Sequence, residues 1–109
     1  MDIIIETPKG STLKYVWDKP LRLFRIKKKL AEGLVFPFDF GFIPGTRGED
    51  GDPLDIMVVA EFCTFPNCVM ECCLTGCIQA MQSVGHKKNT QTRYTIFIST
   101  STLPRIALE

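Results

Sequence analysis

The sequence predicts a mainly β protein, a small barrel or sandwich, and three observations lead there. Short apolar, β-branched and aromatic runs alternate with Gly, Pro and Asp turns. No stretch holds a helical period. The 109 residues give room for one domain, expected over 1–109, and not for two.

Strands are expected at Ile3 to Glu6, Leu13 to Trp17, Leu21 to Ile26, Leu54 to Ala60, Val69 to Ile78 and Arg93 to Ser99. Pro8-Lys9-Gly10-Ser11 and Asp18-Lys19-Pro20 supply turns between the first three, because Gly admits a left-handed backbone and Pro fixes φ. The start, Met1-Asp2-Ile3-Ile4-Ile5-Glu6, has no basic flank and only three consecutive apolar residues. It reads as neither a signal peptide nor a membrane span, so the expected location is cytoplasmic. Phe36-Pro37-Phe38-Asp39-Phe40-Gly41-Phe42-Ile43-Pro44 is too aromatic for an exposed loop and too rich in Pro and Gly for a regular strand. Its rings are expected to pack beneath the segment that follows.

Charge narrows the partners. Thirteen basic and twelve acidic residues leave a net charge of +1, without the Lys/Arg excess of a nucleic-acid or membrane surface. A chain this short buries a modest share of its surface, and a homo-oligomer is the natural way to cover the rest. Five cysteines, Cys63, Cys68, Cys72, Cys73 and Cys77, fall within fifteen residues. An odd number argues against a disulfide framework, and the spacing lacks the separated CxxC pairs of a zinc ribbon. Strand alternation would send Cys72 and Cys73 to opposite faces. Reduced, buried thiols packing as small hydrophobes are expected.

The chemistry concentrates in Asp50-Gly51-Asp52-Pro53-Leu54-Asp55, three carboxylates in six residues at the mouth of an apolar strand. Like charges this close repel unless cations bind or protons are shared. A solvated acidic turn would use the same residue types, but a turn needs no charge at Asp55, inside the strand. Mg²⁺ is held by one or two carboxylates together with waters and phosphates, and the loop has those parts; the EF-hand spacing and its terminal Glu are absent. Lys14, with Arg25, Lys27, Lys28 and Lys29 near the next strand's end, would neutralise phosphate oxygens on the far side. Standing alone, that basic cluster reads as a solvated face; opposite an acidic metal loop, phosphate binding reads equally well.

These residues resemble soluble family I inorganic pyrophosphatases. Asp50 to Asp55 matches their D-G-D-P-x-D signature, and Ile5-Glu6-Thr7-Pro8, Lys14-Tyr15, Phe36-Pro37 and Phe40-Gly41-Phe42-Ile43-Pro44 follow the same order at near-constant spacing. The similarity runs over about residues 3 to 78 and is greatest to a divergent bacterial branch with F-P-F-D-F-G-F-I-P-G-T before the loop. It implies a five-stranded antiparallel OB-like barrel, with peripheral helix content reduced or absent in this chain. It also implies Mg²⁺-dependent hydrolysis of pyrophosphate to two phosphates. By position, Asp50, Asp52 and Asp55 would bind metal, and Asp52 would take the proton of the attacking water. Lys14, Lys28 and Arg93 would bind phosphate oxygens, and Glu6 would be an outer-shell carboxylate. Relatives usually form oligomers.

The chain also departs from the pattern. Phe36 and Phe40 replace tyrosines common in relatives. Residues 72 to 108 hold no Asp or Glu, where the family carries a further aspartate pair after the strand at Val69 to Ile78. Gln91 falls near the missing ligand, and His86 reads as an exposed loop residue. The C-terminal helix and Tyr-Lys pair of relatives have no counterpart, so the chain reads as a truncated or diverged member. Weak hydrolysis is therefore expected, with a non-catalytic remnant that binds a divalent cation or phosphate as the alternative. An OB-type nucleic-acid binder would need a basic groove with exposed aromatics, which the near-neutral charge disfavours.

Overall fold

A computed structural model describes residues 1–83 and 91–103, with side chains described for 1–79 and 95–103. It contains seven strands: β1 (Asp2–Thr7), β2 (Leu13–Asp18), β3 (Leu23–Lys29), β4 (Asp39–Ile43), β5 (Leu54–Val59), β6 (Val69–Ser83) and β7 (Gln91–Ser101). Among the described residues there is no helix.

Five strands close a ring in the order β1-β4-β5-β7-β6, and β2 and β3 form a separate two-stranded sheet. Closing the ring removes its lateral edges. The inward side chains Ile3, Ile5, Ile56, Val58, Met70 and Cys72 form the core, with Phe97 and Ile43 packed against it. Alternation explains the choice: Ile3 and Ile5 are fully buried while Ile4 between them is not. Burying each large aliphatic side chain is worth roughly 1.5–3 kcal/mol.

The ring is OB-like but not wholly antiparallel, as had been expected. β5 pairs with β7 in parallel, Ile56 to Phe97 through Val59 to Thr100, while β1–β4, β1–β6, β4–β5 and β6–β7 are antiparallel. The reason is arithmetic. Strand direction cannot alternate all the way round a closed ring of five, so one neighbouring pair must run the same way.

β4 is a second difference, since the Phe36 to Pro44 stretch had not been read as strand. Tertiary packing accounts for it. A Cβ on Gly41 would overlap the carbonyl oxygen of Ile4 and stand 3.0 Å from Ile5 Cα, so the glycine is what lets β1 and β4 approach. Buried Asp39 ties the start of β4 down by accepting hydrogen bonds from Lys9 N at 2.7 Å and Thr64 Oγ1 at 2.8 Å. The Phe36 and Phe40 rings meet edge to face at 5.4 Å.

β3 is shifted toward the C-terminus of its expected range. Arg22, at φ 55°, occupies the left-handed position of the turn after β2, which delays the strand, and the pairing of Lys28 with Lys14 and of Lys29 with Leu13 carries it on to Lys29. β6 and β7 pair with each other as far as Ser83 and Gln91, well past the residues that touch the ring. At about 3.3 Å per residue, this long hairpin accounts for the molecule's extents of 60 × 30 × 28 Å. Cys72 is buried and Cys73 exposed, as alternation requires. Burial fails for Cys63, Cys73 and Cys77, all exposed: Cys63 lies before β6, Cys73 faces outward, and Cys77 sits where the hairpin leaves the core.

Candidate active site

The acidic loop between β4 and β5 is braced by its own backbone. Gly48 N donates to Asp52 O at 2.7 Å, and Gly51 N to Gly48 O at 3.0 Å. Asp50 Oδ1 accepts the Asp52 amide at 3.0 Å, the local turn that Asp side chains favour. Gly51 takes φ 85°, a conformation costly for residues with a Cβ. Thr46 Oγ1 accepts the Leu54 amide at 3.0 Å and so anchors the entry to β5. Asp50 and Asp52 are exposed, and Asp55 points outward from β5 beside the buried Ile56.

Opposite lies the β2–β3 sheet. No backbone ladder joins it to the ring; two β1 side chains hold it instead. Thr7 Oγ1 accepts the Tyr15 amide at 3.1 Å and donates to the Tyr15 carbonyl at 2.9 Å. Glu6 Oε2 accepts the Trp17 amide at 2.8 Å. The register of β1 on β4 jumps between Ile5 and Thr7, which makes Glu6 a bulge residue. Bulges re-aim side chains near functional sites, and this one turns Glu6 toward β2. The Trp17 and Phe24 rings meet across the hairpin at a 57° tilt, with centroids 5.2 Å apart.

The electrostatics show which groups share the space. Partial burial pushes the Asp55 carboxyl above its usual range, Asp50 and Asp52 add to that, and Lys14 opposes it. Burial also raises Glu6, against the Trp17 amide, with Asp55 raising it further and Lys14 and Lys27 lowering it. Burial lowers the Lys14 ammonium, Lys27 and Lys28 lower it again, and Asp55 and Glu6 pull the other way. Glu6 and Asp55 therefore act on Lys14 across a seam between the ring and the hairpin, with Asp50 and Asp52 acting on Asp55 and Lys28 on Lys14. Lys27 belongs to it as well. It had been noted only as one of a basic cluster, and the signal that singles it out is a strand irregularity invisible in a run of three lysines.

Arg93 lies in β7 opposite Met81, and Gln91 opposite Ser83; their side chains, and all of His86, lie outside the described residues. Among the described residues no three Asp, Glu, Cys or His groups form a ready-made metal cluster. The donors nonetheless suit a hard divalent cation. All are carboxylate oxygens, two of them are destabilised as anions by burial and by like charge, and such a cation completes its shell with water and phosphate oxygens. No helix among the described residues is long and apolar enough to cross a membrane.

A family model for inorganic pyrophosphatase matches residues 3–91. The inorganic pyrophosphatase of Synechocystis sp. is 44% identical over 70 residues, 64% of this chain and 41% of that protein. That of Streptomyces coelicolor is 39% identical over 84 residues, 77% of this chain and 52% of that protein. Among solved structures, the Thermus thermophilus inorganic pyrophosphatase superposes with a TM-score of 0.74 at 32% identity, over 90% of this chain and 53% of that one. An inorganic pyrophosphatase from Neisseria gonorrhoeae gives 0.81 at 25% identity, over 96% and 57%. The chain spans about half the length of the relatives it matches. With the family model running from β1 through β6 and including the β2–β3 hairpin and the acidic loop, this chain belongs to the inorganic pyrophosphatase family.

Proposed function

We propose that the chain hydrolyses inorganic pyrophosphate to two phosphates with Mg²⁺, slowly compared with full-length members of its family. One observation supports the reading: Glu6 and Asp55 act on Lys14 across the seam, with Asp50 and Asp52 of the acidic loop acting on Asp55 and Lys28 acting on Lys14. A pyrophosphate needs cations around its oxygens and a base beside the attacking water, and both are within reach of that seam.

The roles are those that the family's motif gives these residues. Lys14 and Lys28 bind terminal phosphate oxygens and neutralise charge as the bridging P–O bond breaks; the family pattern gives Arg93 the same role. Catalysis of phosphoryl transfer rests mainly on such positioning and neutralisation. Asp52, exposed at the loop tip, accepts the proton of the attacking water. Asp50 and Asp55, with Asp52, would hold Mg²⁺, and Glu6 would orient its outer shell. When bound, the ion acidifies water and offsets phosphate charge.

A second reading, a non-catalytic binder of divalent cation or phosphate, draws on the absence of Asp and Glu from 72 to 108. Phosphate release from pyrophosphate, with and without Mg²⁺, separates the two. We expect slow Mg²⁺-dependent release by the wild type, loss of it in Asp52→Asn, and Mg²⁺ affinity by calorimetry changed less than about tenfold in that variant. Binding without any release would favour the second reading. An active Asp52→Asn would remove Asp52 from its role.

A further inference from the structure

Consecutive residues of a regular strand point to opposite faces, so only one of Lys27 and Lys28 would normally reach the Lys14 side. β3 is not regular there. Lys14 pairs with Lys28 and Tyr15 with Ile26, which leaves Lys27 as an extra residue with no partner of its own. In such a bulge two residues of one strand oppose one of the other. Lys27 and Lys28 therefore stand together across from Lys14.

The charges agree with that geometry. Lys27 and Lys28 both disfavour the protonated Lys14, and Lys27 also acts on Glu6, across the seam. Among the described residues the one salt bridge joins Arg25 to Asp18, so none of the three ammoniums is directly paired with a carboxylate. Lys27 and Lys28 are exposed and Lys14 half-buried, which leaves three like charges open to solvent on one face. Their repulsion is relieved by a polyanion bridging them.

We propose that Lys27 is a third substrate-binding cation, brought beside Lys14 and Lys28 by the β3 bulge to hold terminal oxygens of pyrophosphate. Lys29 pairs with Leu13, one step beyond the bulge, and alternation takes it off that face. The proposal rests on pyrophosphate being the ligand of this seam, but not on its turnover.

The test is calorimetric titration of the folded chain with inorganic pyrophosphate, with Mg²⁺ and in its absence, for wild type, Lys27→Gln, Lys27→Arg and Lys29→Gln. Thermal melts confirm folding, and phosphate release is measured in parallel. Losing one charged contact should weaken pyrophosphate binding about tenfold in Lys27→Gln. Lys27→Arg should keep most of the affinity, and Lys29→Gln should resemble wild type. Weaker binding in Lys27→Gln without turnover in any variant would support the proposal while refuting hydrolysis. Turnover with unchanged affinity in Lys27→Gln would overturn the proposal and leave hydrolysis standing. Equal losses in Lys27→Gln and Lys29→Gln would mean only general charge attraction and overturn it, as would a wild type that binds no pyrophosphate.

Discussion

At the scale of single residues, Gly41 and Cys72 mark how tightly the ring is drawn. Gly41 faces the Ile4 backbone so closely that even a methyl group has no space, and backbone, unlike a side chain, cannot swing aside. Gly41→Ala should therefore cost at least about 3 kcal/mol, the upper end for overpacking, measured by urea denaturation. A loss below about 1 kcal/mol would show that β1 and β4 can part without harm. Cys72 is 2% exposed, and burial pushes its thiol above the usual range, with a Ser99 hydrogen bond opposing. It is a core side chain, not a reactive one.

At the scale of elements, the β2–β3 hairpin carries Lys14, Lys27 and Lys28 yet hangs on the ring through side chains. Thr7 is 2% exposed, and its hydroxyl serves both backbone groups of Tyr15, much as a neighbouring strand would. Thr7→Val keeps the shape and removes both hydrogen bonds. It should cost about 1–3 kcal/mol, the desolvation of orphaned polar groups, and should speed hydrogen exchange at the Tyr15 amide. Because Lys14 adjoins Tyr15, pyrophosphate affinity should fall in parallel, and Thr7→Ser should restore both. Unchanged exchange at Tyr15 would mean that the hairpin is held elsewhere.

At the scale of the whole molecule, the β6–β7 hairpin runs beyond the ring that it helps to close. Ile78 is 46% exposed, because among the described residues the two strands there lie past the contacts of β6 with β1 and of β7 with β5 and pair only with each other. The thiols report this division. Cys63, Cys73 and Cys77 should react with an aromatic disulfide reagent at the rate of free thiols. Cys72 should be slower by roughly two orders of magnitude or more, since attack requires local opening. Prompt labelling of Cys72 would contradict the packing of β1 on β6.

Much of this architecture was legible in the residues themselves. Alternating Ile3 and Ile5, the β-branched run after Asp55 and the cysteine pair at 72 and 73 follow period-two patterning, a local property that each strand carries alone. The acidic loop was legible too, since three carboxylates around Gly51 and Pro53 make a statement about charge that needs no fold. Tertiary structure decided the rest. β4 exists because β1 on one side and β5 on the other supply its hydrogen-bond partners, offsetting the weak strand preference of a Pro- and Gly-rich segment. The parallel β5–β7 pair follows from closing an odd ring, a constraint that belongs to no single strand. Lys27 joins Lys14 and Lys28 only because the register of β2 on β3 slips by one residue, and register is a relation between two strands that neither sequence contains.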